Sequence, residues 1–204
     1  AIPRDRDQVF FRADGKIQRF AQKSDLLPMM QGFERDLKDG NWFLWEGRAM
    51  NSKLLSQYTE EQWDKDVKEF CDLFTDEIFE EALKRLPKES YALRHDQFLT
   101  QLKQRRASIP KVMNEYYHFF NRIVDVQASH KNEKAEINSL DNGHLKVELY
   151  KINKSGNVKD VTFSRVFDPK ITKQIRLYMR DGNDSVFLNT PFSFIISSRS
   201  FSLA

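Results

Sequence analysis

The chain has 204 residues, of which 40% are hydrophobic and 31% charged, and its 33 Lys/Arg against 30 Asp/Glu give a formal net charge of +3. That length suits one large or two small domains, and the apolar fraction is sufficient for a core. The even charge balance, mixed along the chain without a long basic block, argues against nucleic acid as a partner, and no apolar run approaches the ~20 residues needed to span a bilayer.

Residues 2–11 read IPRDRDQVFF. Ile2-Pro3 favours an extended backbone, in which Asp5 and Asp7 project to one side because the side-chain period is two. Two such carboxylates repel unless a cation or an arginine stands between them, and a hard cation such as Mg2+ or Mn2+ suits oxygen ligands of this kind. Arg4 and Arg6 project to the other side, where they can pair with carboxylates or phosphates. The competing reading is a charged loop whose arginines and aspartates neutralise one another. No signal-peptide pattern precedes this stretch, and the Ala1-Ile2-Pro3 start is expected of a processed or excised fragment.

Lys16 to Lys38 reads as helical, broken at Pro28, and Gly40-Asn41 as a turn. The aromatic-rich stretch Asn41–Met50, with Trp42, Phe43 and Trp45, reads as a short strand or a wedge packed on the helices. The longest helical period lies between Thr59 and Val124. Thr59 is expected to cap a helix, with Gln62 completing a capping box, and Trp63, Val67, Phe70, Cys71 and Phe74 form its apolar stripe. A second helix is predicted from Thr75, with Asp76 and Glu77 opposing the positive end of its dipole. Its stripe is Ile78, Phe79, Ala82, Leu83 and Leu86, and Pro87 stops it. A third helix is expected over Asp96–Ala107. Pro110 suits the first turn of a fourth, which carries Val112, Met113, Tyr116, Tyr117, Phe119, Phe120, Ile123 and Val124. The acidic lean of residues 59–89 reads as a solvated face.

Cys71 is the one cysteine, so there is no internal disulfide. Its position on an apolar helix face predicts a small buried hydrophobe. His95, His118, His130 and His144 show no metal-ligand spacing, and His118 lies among aromatics as a packing residue.

Beyond Val124 the period shifts. Val126–Ala135 is polar and reads as loop, or as a strand end followed by loop, and it is the expected boundary between a helical part, residues 1–130, and a β part, residues 131–204. Leu145, Val147 and Leu149 alternate with polar residues, as in a half-buried strand. Residues 154–157 form a hairpin turn and Val161–Phe167 the returning strand, which Asp168-Pro169 ends. Ile175, Leu177 and Met179 alternate next. Residues 181–184 (DGND) form a turn with the oxygen-rich look of a Ca2+ loop but without its downstream glutamate. Strands at 185–189 and 192–198 follow. The expected class is therefore α+β: an N-terminal multi-helix subdomain followed by a small antiparallel sheet or sandwich.

Five stretches, 2–11 (IPRDRDQVFF), 41–51 (NWFLWEGRAMN), 74–87 (FTDEIFEEALKRLP), 102–106 (LKQRR) and 173–184 (KQIRLYMRDGND), together resemble the middle region of large bacterial envelope proteins. Those proteins combine a calcineurin-like phosphoesterase with an outer-membrane β-barrel. The resemblance implies a place in the bacterial cell envelope, periplasmic or outer-membrane associated, and contacts with flanking domains or a protein partner. The DRDQVF segment also resembles the metal-binding step of atypical kinases of the spore-coat-protein-H type. By that resemblance Asp5 and Asp7 are metal ligands, with Asp7 in the part of the kinase metal-binding aspartate. The pattern departs in having no glycine directly after the Phe pair, and the chain holds no Gly-rich phosphate loop. The nucleotide-binding lobe and catalytic aspartate would lie before Ala1, so this piece alone is expected to be inactive.

Three functional readings follow. The first is a non-catalytic structural or interaction module. The second is the C-terminal lobe of a kinase-like phosphotransferase that contributes a Mg2+ or Mn2+ site. The third is carbohydrate binding by the C-terminal strands through Tyr150 and Tyr178.

Overall fold

The computed structural model describes residues 15–23, 32–33, 40–153 and 155–189. Its helices are α1 (Lys16–Lys23), α2 (Gly40–Phe43), α3 (Arg48–Leu54), α4 (Glu60–Leu73), α5 (Asp76–Leu83) and α6 (Lys88–Phe120), with a 3-10 turn at Trp45–Gly47. Strands β1 (Ile123–Gln127), β2 (Glu133–Ser139), β3 (Leu145–Ile152), β4 (Val158–Phe167), β5 (Gln174–Tyr178) and β6 (Ser185–Asn189) follow. Helices first and strands after make the α+β layout that the sequence predicts. The chain forms two compact units: one holds the residues up to Glu46 together with Glu60–Tyr117, and the other holds Gly47–Thr59 together with the chain from His118 onward.

In the first unit α5 starts as expected. The hydroxyl of Thr75 accepts the Ile78 N–H at 3.4 Å, and Asp76 and Glu77 occupy the first turn. The third and fourth helices expected from the sequence are instead one continuous helix, α6, with Pro110 inside it. A proline at the first turn and a proline in mid-helix look alike in sequence, because both follow a helix-forming run. The mid-helix proline removes the N–H that would bond the carbonyl of Arg106, four residues earlier. The thiol of Cys71 donates to that carbonyl instead, at 3.9 Å. The Ser108 hydroxyl donates to the neighbouring Arg105 carbonyl at 2.9 Å. The start of α6 at Lys88 was hidden because its first turns carry little apolar surface inward; Leu93 is exposed there.

The apolar stripes of α4 and α5 are only partly inward. Trp63, Phe79 and Leu83 are buried, whereas Phe70, Phe74 and Ile78 are exposed. Trp63 lies 5.8 Å from the Tyr117 ring and 6.4 Å from the Tyr116 ring, and its indole N–H donates to the Met113 carbonyl at 2.9 Å. Helical period identifies a face but not how far a neighbour covers it, and α6 covers this one at the Trp63 end. The expected turn at Gly40-Asn41 is the start of α2, and the aromatic stretch after it is helical rather than a strand. Gly40 is buried so close to Val112 that a Cβ there would overlap the Val112 Cγ1.

In the second unit, β4-β3-β2-β6 form a four-stranded sheet and β1-β5 a two-stranded one. β2, β3 and β4 pair antiparallel, as the hairpin signals predict, but β1–β5 and β2–β6 pair parallel. The boundary stretch from Val126 holds the end of β1, as the strand-end alternative expects, and the start of β2, while Ile123 and Val124, expected on the fourth helix, open β1. There Val124 and Val126 point inward between exposed Ile123 and Gln127, a strand too short to stand out in the sequence. The turn before β4 is closed by Asn153, whose side-chain oxygen accepts the Ser155 and Asn157 N–H groups, each at 2.9 Å. The strand expected over 192–198 lies outside the described residues. Val124, Val126, Ile137, Val147, Leu149, Phe163, Phe167 and Leu177 belong to one buried core, so both sheets contribute to it.

A buried cation enters that core region. Arg165 occupies an inward position of β4 between Phe163 and Phe167 and is buried. Its guanidinium donates to the Ser56 carbonyl at 2.6 Å and to Asn121 Oδ1 at 2.7 Å, and stacks over the Phe167 ring at 4.6 Å. Three separate pieces of chain meet there: the segment after α3, the junction between α6 and β1, and β4. Arg165→Ala leaves the half-buried Ser56 carbonyl and the buried Asn121 oxygen without these donors and opens a void. It is expected to cost about 3 kcal/mol in urea unfolding followed by a strand-sensitive signal. A loss under about 1 kcal/mol would show that water replaces the guanidinium without penalty.

Candidate functional site

Asp5 and Asp7, the expected metal ligands, and Arg4 and Arg6, the expected phosphate or ion-pair groups, lie outside the described residues. Among the described residues no group of three or more His, Cys, Asp or Glu side chains is arranged to hold a metal ion.

The polar cavity of the second unit has a volume of about 400 Å3 and is bordered by Ser56 and Gln57 on one side and by Asp125, Ser129, Glu133 and Lys151 on the strands. Glu133 is its buried charge. It sits at the start of β2, directly opposite Lys151 on β3. Its carboxylate accepts the Ser129 N–H at 3.0 and 2.9 Å and the Ser129 hydroxyl at 2.6 Å. A buried carboxylate needs such donors to offset lost hydration, so Glu133 closes the loop between β1 and β2. Ser129 is not aligned as a nucleophile, because its proton goes to Glu133 while His130 next to it pairs with Asp181 at 2.7 Å. Gln57 also serves the fold, donating to the Thr162 carbonyl at 3.3 Å. One oxygen of Asp125 is sealed from water and has no hydrogen-bond partner among the described residues.

The turn at residues 181–184 is a structural tie. Asp184 Oδ1 accepts the Glu133 N–H at 2.9 Å, and the Asn183 N–H donates to Asn132 Oδ1 at 3.0 Å. Gly182 has φ +130° and passes so near the Lys131 carbonyl that a side chain would overlap it. Burial pushes the Asp184 carboxyl up, a tendency that Glu133's charge reinforces and the hydrogen bond from Glu133's N–H opposes. Asp184 Oδ1 is thus turned to a backbone donor and Asp181 Oδ2 to His130, so both carboxylates serve the fold.

Cys71 is half-buried rather than buried. Burial raises its thiol pKa, and the thiol donates to the carbonyl freed by Pro110. Tyr150 and Tyr178, the candidates for a carbohydrate face, stand on β3 and β5, which belong to different sheets, and both are half-buried. They do not form one exposed aromatic surface.

The chain matches no family model, no curated protein and no solved structure.

A cluster of titratable groups joins α5 to α6. Asp76 binds Lys103 and Arg106, each at 2.8 Å, and these two partners, Lys103 first, hold its carboxyl below the usual range. A turn further on, both nitrogens of His95 lie 2.8 Å from carboxylate oxygens, Nε2 from Glu80 and Nδ1 from Asp96, with the Tyr91 ring 4.7 Å away. Two carboxylate partners favour the ring that carries both protons. Nothing in the sequence pattern pairs His95 with Glu80, 15 residues away, because the spacing crosses a helix break.

The hydrogen bond to Glu80, then that to Asp96, raises the His95 pKa above its ordinary value of 6.5. A raised folded-state pKa contributes stability that is complete below about pH 6.5 and is lost as pH rises through the folded value. The melting-temperature advantage of wild type over His95→Gln is therefore expected to be largest near pH 6 and to shrink as pH is raised toward about 9. An advantage that stays constant or grows with pH would contradict a doubly protonated His95.

Proposed function

We propose that the chain is a non-catalytic structural or interaction module of a larger bacterial cell-envelope protein, working through contacts with flanking domains or a protein partner. The observation that carries this reading is the apolar surface at the α4–α5 turn. Phe70, Leu73, Phe74 and Ile78 sit there at helical neighbour spacings, all exposed, with the Phe70 and Phe74 rings 4.8 Å apart. Grouped exposed apolar side chains with polar surroundings mark interaction surfaces. The charged groups described elsewhere are engaged in the fold: Glu133 with Ser129, Arg165 with Ser56 and Asn121, and Asp76 with Lys103 and Arg106. Among the described residues no helix is long and apolar enough to cross a membrane. The envelope setting rests on the five stretches of sequence resemblance.

The competing reading, a kinase-like lobe contributing a Mg2+ or Mn2+ site, rests on the Asp5–Asp7 spacing. A titration with Mg2+ and Mn2+, with and without ATP, read by thermal unfolding, separates the two. The module reading expects the same melting temperature in all conditions, for wild type and for Asp5→Ala/Asp7→Ala alike. A wild type stabilised by ~2.7 kcal/mol at a hundredfold excess over the dissociation constant, with the double variant unresponsive, would replace it with the kinase-like reading.

A further inference from the structure

Two charged groups of the second unit stand outside the pairings described above, and both border its polar cavity. Asp125 lies at the middle of β1 and is half-buried, and one of its oxygens is sealed from water with no donor among the described residues. Arg176, its register partner on β5, donates instead to Gln174 Oε1 at 3.3 Å. Lys151, on β3, is half-buried too. Its register neighbours are Glu133 and Asp160, but Glu133 is taken up by Ser129. The Lys151 ammonium has no hydrogen bond or ion pair among the described residues. The cavity of about 400 Å3 that both side chains border leads inward from exposed Gln57 and Gln127 to buried Glu133 and Phe163.

We propose that this cavity binds a free α-amino acid with a small polar side chain, its ammonium at Asp125 and its carboxylate at Lys151. A charge withdrawn from water is stable where an opposite charge or hydrogen bonds replace its hydration. Asp125 and Lys151 have opposite signs and border one cavity, and a zwitterion answers both at once. A neutral sugar supplies hydrogen bonds but no counter-charge. A simple anion answers Lys151 and leaves Asp125 as it is. A divalent cation would be repelled by Lys151, and among the described residues no third ligand stands ready for it. The volume lies near the lower end of the roughly 300–1,000 Å3 of small-molecule sites, which suits a ligand of amino-acid size. Ser56, Gln57, Ser129 and Glu133 make the walls polar, so a large apolar side chain would strand their polar groups. The site belongs to the second unit and does not depend on the apolar surface of the first.

Isothermal titration calorimetry on the full chain with the common amino acids, one at a time, tests this. A small polar amino acid is expected to bind with a dissociation constant of about 0.1 mM or tighter, and large apolar ones at least roughly tenfold more weakly. The N-acetyl derivative of the tightest binder lacks the ammonium, and its amide lacks the carboxylate. Each is expected to bind the wild type at least roughly tenfold more weakly, a result that needs no altered protein. Asp125→Asn and Lys151→Gln are each expected to weaken the amino acid by a similar factor. Asp125→Asn is expected to narrow the gap between the amino acid and its N-acetyl derivative, and Lys151→Gln the gap between the amino acid and its amide, which a general loss of folding would not do. No heat from any amino acid at about 10 mM overturns the site. So does binding that either derivative matches on the wild type, binding that both substitutions leave unchanged, or glucose binding more tightly than every amino acid.

Discussion

The second unit depends on one buried guanidinium. Arg165 reaches Ser56, more than a hundred residues earlier, and Asn121 at the end of α6, and it does so from the inner face of a strand. Taking a cation out of water costs several kcal/mol unless hydrogen bonds and packing offset it. Two short bonds and the Phe167 face supply that offset. Because the partners are a backbone carbonyl and a buried amide, the arrangement selects a single placement of the Gly47–Thr59 segment. Gln57 reinforces it at the Thr162 carbonyl. The polar cavity bordered by Ser56, Gln57 and Glu133 is a consequence of this geometry: a loop held over strand edges by polar side chains leaves polar walls.

The first unit solves a different problem, a long helix with a proline inside it. The carbonyl that Pro110 orphans receives the Cys71 thiol, and the packing of Trp63 on Tyr116 and Tyr117 clamps the helix nearby. Along the other side, Asp76 and Glu80 of α5 draw Lys103, Arg106 and His95 of α6 toward them. With the acidic groups on that side engaged, what α4 and α5 present outward is apolar side chains within an acidic frame. That apolar surface is what the proposed role rests on.

Much of this layout was legible in the sequence. Thr75 announced the start of α5, the Leu145/Val147/Leu149 alternation gave β3, and the Asn/Gly turn gave the hairpin into β4. What failed did so for physical reasons. Pro110 reads as a start because sequence cannot show a thiol waiting at the orphaned carbonyl. Phe70, Phe74 and Ile78 read as core because period defines a direction without saying whether a neighbour lies along it. The parallel pairings of β1 with β5 and β2 with β6 join segments about 50 residues apart, beyond any local pattern. Arg165 did leave a signal: the inward phase of its strand runs Phe163, Arg165, Phe167, and a cation in that phase implies buried acceptors. The acidic motif at Asp5 and Asp7 stands as a sequence observation alone.

Amide hydrogen exchange by mass spectrometry tests most directly whether Arg165 makes Gly47–Thr59 part of the strand unit. The account predicts that peptides from Gly47–Thr59 gain and lose protection in step with β3 and β4 as denaturant is raised, and that α4, which follows directly in sequence, opens separately. Exchange of Gly47–Thr59 in step with α4 instead, with β3 and β4 still protected, would contradict it.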